Sequence, residues 1–189
     1  MKKLLFVILV GILFSPFLYS ADIEREQAYG YFGVRVGYME IDGIEDEGSA
    51  NLGFTLGFRV SNPVAIEFSL DYHSSDFSAV DRTTYAFQAS LLLYLNSNSN
   101  VQPYLVGGGG YYISGYDYWV NGYKYTDFTS HKFGGHLGAG VDIMLGDYST
   151  ITFDVRYIAV DEDVPEEALG YDSKTFDGVL ATVGAKFRF

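Results

Sequence analysis

The chain has 189 residues, with 12 Lys and Arg against 24 Asp and Glu, no Cys, 22 Gly, 17 Tyr and 15 Phe. A net charge of −12 argues against nucleic acid, because a phosphate-binding surface needs a basic patch, and 48% hydrophobic residues exclude a disordered chain. The lack of cysteine removes disulfide scaffolds, thiolate metal sites and cysteine nucleophiles, and leaves one oddity: 17% aromatic residues beside only 19% charged ones.

In chain order, residues 1–20 read as a secretory leader. Met1, Lys2 and Lys3 make a cationic start, residues 4–14 are apolar apart from Gly11, and Ser15 and Pro16 lead to a small-residue exit at Ser20 and Ala21. The apolar run is too short for a membrane helix, which takes ~20 residues. No Cys stands at the exit, so no lipoprotein anchor is predicted. Removing the leader leaves 10 Lys and Arg against 24 Asp and Glu, a charge of −14 on residues 21–189, which are predicted to form one domain.

That remainder alternates with period two in eight places, the pattern of strands. Residues 29–41 set Phe32, Val34, Val36 and Tyr38 against Gly33, Arg35 and Gly37. Residues 51–61 set Leu52, Phe54, Leu56, Phe58 and Val60 against Asn51, Gly53, Thr55, Gly57 and Arg59. From Val64 to Tyr72, the residues Ile66, Phe68 and Leu70 oppose Ala65, Glu67, Ser69 and Asp71. Tyr85, Phe87, Ala89, Leu91, Leu93 and Leu95 oppose Thr84, Ala86, Gln88, Ser90, Leu92 and Tyr94. Residues 102–114 are a strand by composition, but four consecutive glycines hide its phase. Phe133, Leu137, Ala139, Val141, Ile143 and Leu145 then oppose Lys132, Gly134, His136, Gly138, Gly140 and Asp142. Ile151, Phe153, Val155 and Tyr157 oppose Thr152, Asp154 and Arg156. Val179, Ala181, Val183, Ala185, Phe187 and Phe189 oppose Gly178, Leu180, Thr182, Gly184, Lys186 and Arg188.

Over these positions the apolar phase carries no charge. The other phase carries ten: Arg35, Arg59, Glu67, Asp71, Lys132, Asp142, Asp154, Arg156, Lys186 and Arg188. A soluble sandwich would tolerate those charges in water. The same phase is also rich in Gly33, Gly37, Gly53, Gly57, Ser69, Gly134, Gly138, Gly140 and Gly184, which suits a crowded concave interior. Apolar outside and packed polar inside describe a transmembrane barrel. Tyr29, Tyr38, Tyr72, Tyr85, Tyr94, Tyr111, Tyr112 and Tyr157 fall near strand ends and are predicted to form interfacial girdles. Short connections at 61–63, 96–100 and 146–147 alternate with longer segments at 42–50, 74–82, 115–130 and 161–174. The prediction is an all-β, eight-stranded antiparallel up-and-down barrel in the outer membrane, with short turns and both ends on the periplasmic side.

The segments PYLVGGGGYY (103–112), FGGHLGAGVDIML (133–145), FDVRY (153–157) and the closing VGAKFRF (183–189) resemble the small outer-membrane barrel family of the OmpA transmembrane domain, OmpX and the opacity proteins. The resemblance runs from about residue 28 to 189. It implies residence among outer-membrane lipids and lipopolysaccharide, delivery by periplasmic chaperones, and a terminal strand whose Phe187 and Phe189 are read by the barrel-assembly machinery. It is weak for function, because this family uses one barrel for many tasks. No peptidoglycan-binding domain is implied.

Three roles follow as expectations. The first is structural and surface-facing, with the interior charges paired as a plug, because buried charges are costly unless neutralised. Here the aromatic segment 115–128, with Tyr116, Tyr118, Trp119, Tyr123 and Tyr125, is the candidate for binding an external protein or glycan. The second is a narrow pore in which a pair such as Glu67 and Arg59 exchanges partners. The third is a lipid A-modifying enzyme: His73-Ser74-Ser75 followed by Asp76 resembles the His-x-Ser pair of the lipid A deacylases, although its phase turns His73 into the lumen. The acidic runs Glu45-Asp46-Glu47, Asp161-Glu162-Asp163 and Glu166-Glu167 lack the spacing of a calcium loop and read as solvated surface. No enzyme activity, metal, cofactor or nucleic-acid partner is predicted.

Overall fold

Segments that alternate with period two can satisfy their backbone groups inside a bilayer only by pairing with one another around a closed ring. The computed structural model describes residues 28–41, 48–77, 80–120, 123–160 and 177–189. For 41, 75–77, 80–81, 116–120 and 123–128 it describes the backbone alone. Eight antiparallel strands follow in order: β1 (Tyr29–Ile41), β2 (Gly48–Ser61), β3 (Val64–Phe77), β4 (Val80–Tyr94), β5 (Val101–Val120), β6 (Tyr123–Met144), β7 (Ser149–Val160) and β8 (Gly178–Arg188). Each pairs with its neighbour, and β8 returns to β1 through Tyr31↔Arg188 to Ile41↔Gly178, so the barrel has no free edge. Among the described residues no helix is long and apolar enough to cross a membrane, and the crossing is made by strands.

Burial follows the sequence phase. Along β2, alternate residues from Ser49 to Arg59 are buried and those between them exposed. Phe54 is 55% exposed on the lipid side while Arg156 is 1% exposed inside. The phase that the glycines of β5 concealed now has an answer. Gln102, Tyr104, Val106, Tyr112 and Ser114 are buried in the lumen, and Leu105 faces out. Two of the predicted girdle tyrosines are therefore reassigned. Tyr94 and Tyr112 are buried interior residues, because each stands an even number of positions from a lumen-facing partner, Gln88 for one and Gln102 for the other. Tyr38, Tyr72, Tyr85 and Tyr157 are exposed on the outer surface.

The connections at the end bearing Ala28 and Phe189 are short. Asn62 and Pro63 join β2 to β3, and residues 145–148 join β6 to β7, with Gly146 at a φ of +114° that favours glycine. At the other end two predicted loops are largely strand. Segment 74–82 continues β3 and β4 with Ser74↔Thr83 and Phe77↔Val80 paired. Segment 115–130 extends β5 and β6 until Val120 pairs Tyr123, past a register shift at Tyr116 and Asp117. The alternation signal fades there because a ladder that has left the bilayer meets water on its outer face and no longer needs apolar residues on it. Spanning a bilayer takes about 9–11 residues per strand; β5 has 20 and β6 has 22, so this hairpin stands well clear of the membrane. The acidic runs at 45–47 and 161–167, and the leader at 1–20, lie outside the described residues.

The seam between the first and last strands is aromatic. Phe32 stacks on Phe187 and Phe189, with centroids 5.4 and 6.5 Å apart, and Phe189 donates its N–H to the Gly30 carbonyl at 3.0 Å. On the same strand Glu40 continues the outward face beyond Tyr38, at the external rim. Position along the strand should therefore set the cost of charge. Phe54→Lys is expected to lower stability by about 2–4 kcal/mol and Glu40→Lys by no more than about 1 kcal/mol, read as urea unfolding of the barrel in lipid vesicles.

Candidate functional site

Inward-facing glycines give large polar side chains room to cross the lumen. The Tyr31 ring lies over Gly57 and the Tyr104 ring over Gly140, each where a Cβ would collide with it. What fills the interior is layered. Near the periplasmic end Ala65, Leu92, Tyr94, Tyr104 and Val106 form one buried apolar cluster. Towards the external end Met39, Ala86, Tyr112, Ile158, Val160 and Leu180 form another. Charges occupy the space between.

At the centre is Glu67, opposite Gly57 across the β2–β3 pair. Three cations converge on it: Arg156 NH2 at 3.3 Å, Lys186 Nζ at 3.6 Å and Arg35 NH1 at 3.7 Å. Each cation also has a carboxylate of its own. Arg35 grips Asp71 with Nε at 3.0 Å and NH2 at 2.6 Å, and donates to Ser69 Oγ at 3.1 Å. Arg156 Nε donates to Asp154 Oδ1 at 2.6 Å, and its NH1 reaches Ser90 Oγ at 3.3 Å. Lys186 donates to both oxygens of Asp142 at 3.1 Å.

Three cations thus face four carboxylates, Glu67, Asp71, Asp142 and Asp154. Phenols supply further hydrogen bonds to three of these carboxylates. Tyr31 donates to Glu67 at 3.2 Å, Tyr94 to Asp142 at 2.8 Å and Tyr104 to Asp154 at 2.9 Å. Carboxylates hydrogen-bonded in this way keep their charge at a much smaller penalty. The sequence reading missed this tyrosine set. The phase of Tyr94 beside Gln88 and Ser90 carried the signal, and residue type obscured it.

The predicted lumen charges divide into three groups. Arg35, Glu67, Asp71, Asp142, Asp154, Arg156 and Lys186 meet in the central network. Arg59 does not join Glu67. It lies one inward-facing position nearer the periplasm, donating to the carbonyls of Ser61 and Asn62 and to Gln102 Oε1 at 3.1 Å, with its guanidinium 3.5 Å from the Tyr94 ring centroid. Lys132 and Arg188 are half-buried towards opposite ends, with Arg188 at 4.2 Å over the Tyr29 ring. Arg82, expected in a loop, is instead a buried lumen cation that donates to Ser114 at 3.3 Å and Thr84 at 3.3 Å.

His73 faces the lumen as its phase predicted, with Nε2 at 3.3 Å from Asn51 Nδ2. The side chains of Ser75, Asp76, Tyr116, Tyr118, Trp119, Tyr123 and Tyr125 are outside the described set, while their backbones run within β3, β5 and β6. Among the described residues no cluster of His, Asp and Glu is arranged to hold a metal ion. The cavity beside the network, bounded by Arg35, Thr55, Glu67, Tyr104, Asp154 and Lys186, offers about 10 Å³. That is room for one water.

This arrangement joins the strands through the lumen. Arg156→Met would leave Asp154 without its cation and take from Glu67 one of its three, and is expected to cost about 3–5 kcal/mol. Combining it with Glu67→Gln and Asp154→Asn should recover much of that loss. Urea midpoints of the two variants and the parent protein, followed by circular dichroism in vesicles, check both expectations.

Comparison with known proteins agrees with the architecture. Residues 7–189 match the family model described as outer membrane protein beta-barrel domain. No curated protein sequence matches the chain. Among solved structures, Neisserial surface protein A is similar at 16% identity and a TM-score of 0.57, over 86% of this chain and 97% of that one. The attachment invasion locus protein Ail of Yersinia pestis, in complex with the heparin analogue sucrose octasulfate, is similar at 14% identity and 0.52, over 88% and 100%. The outer membrane enzyme PagL is similar at 13% identity and 0.53, over 82% and 97%. Likenesses at these identities carry the fold alone. With the family match over nearly its whole length, the chain belongs to the outer membrane protein β-barrel domain family and is an outer-membrane protein.

Proposed function

We propose that this protein is a closed barrel that works at its surface, stabilising the outer membrane and presenting its external segments to a protein or glycan partner. The filled lumen is the observation that carries this reading: two apolar clusters enclose an ion network whose adjoining cavity has room for one water. The tall β5–β6 hairpin supports it too, since Tyr116, Tyr118, Trp119, Tyr123 and Tyr125 belong to the part that extends beyond the bilayer. Similar barrels include an attachment protein seen with a heparin analogue, which makes sulfated glycans a sensible first probe. In this reading residues 1–20 are the export leader, and Phe187 and Phe189 on the closing seam are what the assembly machinery grips. Lipopolysaccharide and other outer-membrane lipids surround the barrel.

A narrow pore is the second reading, and one observation favours it. Glu67 is shared among three cations at 3.3–3.7 Å, so a partner can be exchanged without stranding the carboxylate. Enzymatic action on lipid A has less support, because His73 is buried in the lumen, away from lipid.

Replacing residues 116–128 by a short turn tests the surface role. Cells carrying the shortened hairpin are expected to lose at least tenfold in attachment to heparin- and protein-coated surfaces while keeping their resistance to detergent. Undiminished attachment together with slower uptake of small solutes would contradict the proposal.

A further inference from the structure

The lipid-facing wall is not uniform. On β1 and β2 the outward positions Phe32, Val34, Val36, Leu52, Phe54, Leu56 and Phe58 carry large apolar side chains. On the opposite side a trench replaces that layer. Strand pairing places Phe68 opposite Ala89, Ala89 opposite Gly109, Gly109 opposite Gly135 and Gly135 opposite Ala159, so one row across β3 to β7 begins at a phenylalanine and continues through four small residues. The next row on the external side is aromatic, with Phe87 opposite Tyr111 and Tyr111 opposite Phe133. The Tyr111 and Phe133 rings lie 5.0 Å apart. Along the β3 to β6 part of this row lies an apolar groove of about 560 Å³, lined by Phe68, Phe87, Ala89, Gly109, Tyr111 and Phe133.

The direction of the groove identifies what fits it. Phe68 lies only four residues above the periplasmic start of β3 at Val64, whereas Ala159 lies one residue short of the external end of β7 at Val160. The row therefore climbs outwards as it crosses the strands. It is stopped at its inner end by Phe68 and open towards the external face. The groove along it, from Phe68 on β3 to Phe133 on β6, spans three strand spacings, roughly 14 Å, comparable to one leaflet's share of a hydrocarbon core ~30 Å thick. Beside its external wall Tyr111 Oη and His131 Nδ1 share a hydrogen bond at 3.0 Å, an exposed polar pair at headgroup level. Glycine weakens a strand and packs nothing, so two glycines in one outward row make sense where something else must approach the backbone.

We propose that this groove is a binding site for one acyl chain of an outer-leaflet lipid. The chain lies along Ala89, Gly109 and Gly135 under the Phe87, Tyr111 and Phe133 ridge, and its headgroup emerges beside His131. The groove continues the lipid-facing band of an outer-membrane barrel, so an apolar occupant from the membrane reaches it without leaving the bilayer. The site does not depend on the surface role proposed above, which concerns the hairpin tip.

The test uses the protein in phosphatidylcholine vesicles containing a phospholipid with a diazirine in its acyl chain, with crosslinks mapped by mass spectrometry. Labelling per residue at Phe87, Tyr111 and Phe133 is expected to exceed that at Phe32, Phe54 and Phe58 by at least fivefold. Gly135→Leu fills the trench, and its new Cβ meets only the Gly108 carbonyl oxygen at 3.8 Å, an ordinary contact. That variant should bring labelling down to the level of the opposite wall, and Phe133→Ala, which removes the ridge, should do the same. The gel mobility of the unheated barrel reports that each variant has folded. Even labelling around the wild-type barrel, or enrichment that survives Gly135→Leu, would overturn the proposal. So would displacement of the label by an equimolar free fatty acid, which would assign the groove to a soluble amphiphile. Protein-to-protein crosslinks at the same residues would assign it to a second copy of the chain and overturn the proposal as well.

Discussion

Glu67 is the residue on which the lumen depends. A barrel closed through eight strands turns half its side chains inwards, and here that half holds most of the spanning segments' charge. Once inside, a carboxylate has no bulk water to solvate it, so each one must be answered by a partner on another strand. Glu67 on β3 ties Arg35 on β1, Arg156 on β7 and Lys186 on β8 into one network. Those cations in turn hold Asp71, Asp154 and Asp142. The network reaches across the lumen to strands that are not neighbours in the wall. It adds fixed geometry to a ring whose outer face contributes little shape of its own, since one apolar side chain serves lipid much as another does.

The tyrosines help such a network stay buried. Three cations face four carboxylates, and neutral phenol donors on Glu67, Asp142 and Asp154 solvate charge that no cation answers. Large phenols and guanidinium groups need space, which is why inward glycines such as Gly57 and Gly140 face Tyr31 and Tyr104. The composition that first looked odd, rich in tyrosine and glycine and poor in charge, has this geometry as one of its causes.

Much of the fold was legible because lipid enforces alternation strictly. The outward rows of β2 and β4 and the inward charges follow from period two alone, and the short turns from the spacing between the alternating runs. Legibility failed where that pressure ends. Above the bilayer the outward face meets water, so the extensions of β3 to β6 looked like loops and Arg82 went unrecognised as a lumen residue. Alternation also ranks residues by polarity, and tyrosine belongs to both sides. Tyr94 was placed in the girdles by type although its phase pointed inwards, and Tyr112 because the glycines before it concealed its phase. Pairing partners were the third gap: phase put Arg59 and Glu67 on the same side, but only strand register shows that Arg59 sits one inward step lower, held by turn carbonyls and the Tyr94 ring. The groove lay deeper still, since it exists only when four strands are set side by side.

The packing of the lumen among the described residues supports the outside of the barrel as its working surface, whether through the projecting β5–β6 hairpin or the lipid-facing trench. The most direct test of that account is single-channel recording of the protein refolded into a planar bilayer at neutral pH. The packed lumen predicts a folded barrel with a flat current trace and no steady openings. Discrete, long-lived openings from the wild-type protein would contradict it, because they would require a continuous water path through both apolar clusters and the ion network between them.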